Sequence, residues 1–225
     1  MEITLSRRYR GPVTSANGGY ACGRLAAFVE GDEVEVTLHC PPPLDRTLTI
    51  ERETEVARLL DGDVLVAEAR PALVEIDAPA TVSVGRAEQA RERHVWGSSP
   101  EFGDCFVCGS RDDGLRIRVG LVAGREPVHA SPIAIDEPAP EIVWAVIDCP
   151  GAYAVGAEGR GDVVLGRMTA RVNRVPEAGE TCIVTAWPLG EQGRKLFAGT
   201  ALFAEDGELL ALARQVWIAP RSEPK

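Results

Sequence analysis

Asp61-Gly62-Asp63-Val64-Leu65-Val66-Ala67-Glu68-Ala69-Arg70 recurs, with one residue dropped, as Asp206-Gly207-Glu208-Leu209-Leu210-Ala211-Leu212-Ala213-Arg214. Self-similarity of this kind within 225 residues marks two copies of one structural unit. Asp-Gly is a hairpin signal, because glycine enters the left-handed turn conformation at no steric cost, so each copy should end in paired antiparallel strands. Upstream, Val36-Thr37-Leu38 before the Pro41-Pro42-Pro43 turn matches Met168-Thr169-Ala170 before Pro176.

Between these signals the chain alternates or runs apolar. Met1 to Arg10 reads as a short edge strand, and Val34 to Cys40 places apolar residues on every second position, as a half-buried strand does. Thr47 to Glu53, Thr54 to Leu60 and Val64 to Ala69 continue as a meander. Residues 77–104 differ, with mixed charges at Arg86, Glu88, Arg91, Glu92 and Arg93 and then Gly97-Ser98-Ser99-Pro100, and read as a helical connector and loop. Gly114 to Val122 is predicted as a strand, Gly156 to Gly161 as a loop, and Val163 to Val175 as a long strand; Thr181 to Trp187, Lys195 to Ala204 and Glu208 to Ile218 follow.

Each copy also holds one apolar helix. Asn17 can cap the first, with Gly18-Gly19 allowing a substrate close to the backbone and mostly small or apolar residues from Tyr20 to Val29. Such a helix start offers unpaired N–H groups to a phosphate, a carboxylate or an oxyanion; the plainer reading is a capped core helix. The second, Glu141-Ile142-Val143-Trp144-Ala145-Val146-Ile147-Asp148, carries one acid at its end. An antiparallel sheet curled around a helix that is apolar all round satisfies this order, giving an α+β fold of two curved sheets, each wrapped around a central helix. The expected divisions are 1–76 for the first unit, 77–104 for the connector and 105–220 for the second.

A net charge of −10, from 24 basic and 34 acidic residues, opposes nucleic acid and anionic membrane as partners. The chain has no apolar run long enough to span a bilayer and no basic-then-apolar start, so a cytoplasmic protein is expected. Six dispersed cysteines suit reduced thiols rather than a disulfide scaffold. Cys105-Phe106-Val107-Cys108 is a single CxxC without a second pair, and His39, His94 and His129 are scattered, so a plain turn and no metal are expected.

In this order the pieces resemble the hotdog-fold acyl-CoA thioesterase-like superfamily in its tandem, double hotdog form. Asn17-Gly18-Gly19 resembles the His-Gly-Gly or Asn-Gly-Gly start of the hotdog helix, and Cys105-Phe106-Val107-Cys108-Gly109 with Gly114-Leu115 is similar to the lead-in strand of phenylacetate-type thioesterases. Pro176-Glu177-Ala178-Gly179-Glu180 matches the turn after their long third strand.

The resemblance implies an oxyanion hole at the Gly-Gly backbone and an Asp or Glu further along the helix as base or nucleophile, the two meeting from opposite units. The first unit has Ala26 and Ala27 where an acid would stand, and the second begins with Pro140-Glu141 in place of glycines. One composite site is therefore implied, from Asn17, Gly18 and Gly19 with Asp148, beside Tyr20 and Trp144 as substrate contacts. Against it, Asp148 also reads as a cap for the turn at Cys149-Pro150-Gly151, and Cys149 as a buried inert thiol. The side chain that supports the acid in relatives falls near Leu165 or Gly166, which offer no donor, and neither helix holds the Asp–His pair of dehydratases. The implied activity is hydrolysis of an acyl-CoA or related thioester, with coenzyme A present only as part of the substrate and no other cofactor, in a homo-oligomer, most simply a dimer. The alternative is a non-catalytic acyl-ligand binding or scaffold protein.

Overall fold

A computed structural model describes residues 1–95, 100–156 and 162–221. The predicted loops at Gly97-Ser98-Ser99 and beyond Gly156 lie outside the described residues. The first half runs β1 (Glu2–Thr4), a short 3-10 turn, α1 (Gly18–Ala26), β2 (Glu33–Leu38), β3 (Thr47–Glu53), β4 (Val56–Asp61) and β5 (Val64–Pro71). After α2 (Val84–Arg91), the second runs β6 (Gly120–Leu121), β7 (His129–Ala134), α3 (Pro140–Val146), α4 (Cys149–Ala154), β8 (Val164–Val172), β9 (Thr181–Gln192), β10 (Lys195–Ala204) and β11 (Leu209–Ile218).

The expectation of two sheets is corrected: all the strands form one antiparallel sheet of order β1-β3-β4-β5-β2-β8-β11-β10-β9-β7-β6. The two halves join by β2 pairing with β8, in a register that sets Glu33 opposite Arg171 and Thr37 opposite Arg167. Side chains fix that register, since Arg171 meets Glu33 at 2.6 Å and Arg167 donates to Thr37 Oγ1 at 2.9 Å. On either side of this seam the order is the same, β1-β3-β4-β5-β2 against β7-β9-β10-β11-β8. Both Asp-Gly turns close hairpins, β4 to β5 and β10 to β11, with Gly62 and Gly207 at φ of +59° and +93°.

Gly114 to Val122 does not form the predicted strand. Leu115 and Ile117 donate their N–H groups to the carbonyls of Phe106 and Val107, so this stretch folds back on the CxxC turn and β6, Gly120–Leu121, joins the sheet from its end. The first strand is likewise short, because Arg7–Tyr9 coils into the 3-10 turn.

α1 and α3 pack together against the sheet. Gly19 and Gly23, one turn apart, bring the helices to backbone contact: a Cβ at Gly23 would sit 2.7 Å from Glu141 Cα, and one at Gly19 2.5 Å from the Trp144 carbonyl oxygen. The main apolar core runs through both halves, from Leu25 and Leu59 to Ile147, Met168 and Leu202, and smaller clusters lie under α2 and around Trp187. No helix among the described residues is long and apolar enough to cross a membrane.

Candidate active site

The site begins where α1 begins. Asn17 caps the helix, its Oδ1 accepting from the Tyr20 N–H at 2.9 Å. Its amide nitrogen then points away from α1 and donates to Asp148 Oδ2 at 2.8 Å. The Gly19 N–H, in the helical turn that has no intrahelical acceptor, donates to the same oxygen at 3.0 Å. The structure thus brings Asn17, Gly19 and Asp148 together across 131 residues of sequence.

Asp148 occupies a break between helices. α3 ends at Val146 and α4 begins at Cys149, leaving Asp148 with φ −88° and ψ −80° and no side-chain bond to the helix it precedes. The capping reading of Asp148 therefore does not hold, because its carboxylate faces the other half. The break is held from behind by polar side chains of the sheet. Thr200 Oγ1 donates to the Ile147 carbonyl at 2.7 Å, and Gln215 Nε2 donates to the carbonyls of Ile147 and Asp148 at 2.6 and 3.1 Å. The Trp217 indole N–H in turn donates to Gln215 Oε1 at 2.9 Å. Gly151 leaves the room for Gln215, since a Cβ there would collide with the Gln215 amide oxygen.

Asp148 is 2% exposed. Burial pushes its carboxyl up to about 7, against the N–H of Gly19, which favours the ionised form; Cys105 adds to the rise and Asn17 opposes it. Its second oxygen, Oδ1, has no hydrogen-bond partner among the described residues.

Asn17, Gly18 and Asp148 line one end of a cavity of about 310 Å³, whose walls include Leu38, Phe102, Leu165 and Trp217. Its lining is apolar apart from that end, Ser15 and His39, which is exposed. Leu165 and Gly166 stand in the wall as apolar surface, and Leu165 closes over Gly18.

Three sequence expectations change. Gly19 serves the approach of Asp148 and Trp144 rather than of a substrate, and its N–H is taken by the carboxylate, which leaves Gly18 as the glycine facing the cavity. Tyr20 does not line the cavity: it is buried against Tyr9, ring centroids 4.0 Å apart, with Arg24 donating to its hydroxyl at 3.0 Å. Trp144 is buried against Gly23 between the helices, away from the same cavity. Thr200, Gln215 and Trp217 were not singled out by sequence reasoning, although a glutamine in the apolar run Leu209 to Ile218 is the kind of residue that must find a buried partner.

A cluster of sulfur adjoins the carboxylate. Cys105, Cys108 and Cys149 are all buried, their Sγ atoms within 4.8 Å of one another, and Cys105 and Cys149 also line the cavity. The buried Cys149 is thus not an isolated thiol.

No family model and no curated protein sequence matches the chain. Solved structures do. A conserved protein of unknown function with a hotdog fold from Alicyclobacillus acidocaldarius aligns with a TM-score of 0.66 at 13% identity, covering 99% of this chain and 93% of that one. An acyl-CoA thioesterase II from Mycobacterium marinum aligns with a TM-score of 0.60 at 10% identity, covering 94% and 92%. The dehydratase domain of a mycocerosic acid synthase-like polyketide synthase aligns with a TM-score of 0.61 at 14% identity, covering 98% and 90%. The chain has the hotdog fold. That fold carries more than one chemistry in these neighbours, so the activity has to be argued from the site.

Proposed function

We infer that the chain is a double hotdog, its units at 1–76 and 105–220, that hydrolyses an acyl thioester such as an acyl-CoA at one composite site. The observation that carries this reading is the carboxylate of Asp148, from the second half, held by Asn17 and Gly19 of the first at the polar end of an apolar cavity. The unpartnered Oδ1 takes a proton from a water, whose oxygen attacks the thioester carbonyl, while the Gly18 N–H stabilises the developing oxyanion. Collapse expels the coenzyme A thiolate, which takes the proton back, giving a carboxylic acid and a free thiol. The cavity volume lies at the low end of ligand pockets, about 300 to 1,000 Å³, which suits an acyl group with the carrier outside. Neither α1 nor α3 carries a histidine, which favours hydrolysis over the dehydratase chemistry of one neighbour. Dimerisation belongs to the same proposal, as the sheet still ends in two edges, β1 and β6; a monomer in light scattering removes it.

The test is a panel of acyl-CoAs followed by loss of thioester ultraviolet absorbance. Asp148→Asn should lower kcat at least about a hundredfold with acyl-CoA binding retained in calorimetry. Wild-type turnover by that variant sinks the catalytic reading. The enclosure of Asp148 favours the second reading, an acyl-binding protein without turnover, which is the outcome if esters bind and none is cleaved.

A further inference from the structure

We propose that Cys105, Cys108 and Cys149 bind a zinc ion through their three sulfurs, in a centre that ties the CxxC turn to the helix break at Asp148. This goes beyond thioester hydrolysis and stands whether or not the chain turns over a substrate.

The spacing of the Cys105 and Cys149 sulfurs fits zinc. With Zn–S bonds of about 2.3 Å and tetrahedral angles, two ligating sulfurs stand about 3.8 Å apart. Cys105 Sγ and Cys149 Sγ are 3.7 Å apart, and all three sulfurs lie within 4.8 Å of one another. The turn is tightly closed, the Gly109 N–H donating to the Cys105 carbonyl at 2.8 Å. Gly109 must lack a side chain, since a Cβ there would collide with the Cys105 backbone. A buried thiol that serves only as a small apolar group needs no such turn around it.

The Cys149 sulfur has a donor of its own, as metal-bound thiolates require: Asn17 Nδ2 lies 3.6 Å from Cys149 Sγ. Loading exchanges three thiol protons, released to solvent, for one divalent cation. The resulting single negative charge faces the Arg118 guanidinium, which donates to the carbonyls of Cys108 and Gly109. Cys105 and Cys149 also line the cavity, so a cation at this cluster would be reached from it. Zinc brings together ligands 44 residues apart and so fixes the segment leading into the second half against α4.

The full chain, purified under reductant without chelator, is assayed by elemental analysis and by release of zinc to an indicator dye on addition of an organomercurial. About one zinc per chain is expected. Cys108→Ser and Cys149→Ser should lower zinc content at least about tenfold, and Cys182→Ser, a buried thiol outside the cluster, should retain it. If the ligand variants do not fold, the wild-type chain decides alone: cobalt substitution should give thiolate-to-cobalt charge-transfer absorption. Wild-type protein without metal, copper or iron in place of zinc, a Cys105–Cys149 disulfide in the reduced preparation, or a cobalt spectrum without that absorption overturns the proposal.

Discussion

Asp148 Oδ2 accepts the Gly19 N–H at 3.0 Å, so a carboxylate from one half of the chain ends on the helix start of the other. The contact requires glycine. A Cβ at Gly19 would lie 2.5 Å from both the Asp148 Cβ and the Trp144 carbonyl oxygen, and the second of these is backbone that cannot turn aside.

Gly19→Ala should therefore separate α1 from α3, costing about 1 to 3 kcal/mol as overpacking does, and should abolish turnover with it. Gly18→Ala meets the Leu165 and Leu38 side chains first, at 3.0 to 3.4 Å, and should cost much less. Urea denaturation of the two variants checks the contrast; equal losses would mean that the helix contact is not what glycine serves.

Asn17 has two duties that substitution can separate. Asn17→Ser keeps an oxygen for the Tyr20 N–H and loses the donor to Asp148, whereas Asn17→Ala loses both. The alanine variant should be less stable than the serine variant by about 1 kcal/mol. Both should lose turnover alike, and activity that tracks stability instead would show that the donor to Asp148 is idle.

Gln215 is a positioning residue, acting on the helix break through backbone carbonyls. Gln215→Leu strips the Asp148 carbonyl of this donor and leaves the Trp217 N–H without its acceptor, while Thr200 still serves Ile147. The cost should be about 1 to 3 kcal/mol in stability. Turnover should fall in kcat with KM nearly unchanged; a rise in KM alone would place Gln215 in substrate binding.

Local chemistry made part of this legible in the sequence. The Asn17 cap, the two Asp-Gly hairpins and the apolar run ending at Asp148 each announce themselves within a few residues. The resemblance to hotdog proteins paired Asn17 with Asp148, which no local signal could. Long-range partners stayed hidden. Gln215 and Thr200 act on carbonyls 68 and 53 residues away, and Cys149 reaches Cys105 over 44. The single sheet was missed for the same reason, since the β2 to β8 seam rests on pairs such as Arg171 with Glu33, 138 residues apart. Tyr20, next to Gly19 on the helix, faces another way and stacks on Tyr9, while Trp144 fills the space that Gly23 leaves between α1 and α3.

The Pro176 to Glu180 turn gives a prediction independent of catalysis. Arg174 binds Glu180 through two hydrogen bonds of 2.8 and 2.9 Å, and the Glu177 N–H donates to Glu180 at 2.7 Å. The Arg174 guanidinium, aided by that N–H, lowers the Glu180 carboxyl to about 2. A carboxyl depressed on folding contributes stability above its unfolded value and loses it as pH falls through the folded one. Glu180→Gln should accordingly lower the melting temperature at neutral pH, by no more than a few degrees because solvent screens this surface pair. The gap between variant and wild type should narrow as pH falls from about 4.5 toward about 2. Thermal melts across that window check it, and a gap that stays constant would show that Glu180 acts through shape rather than charge.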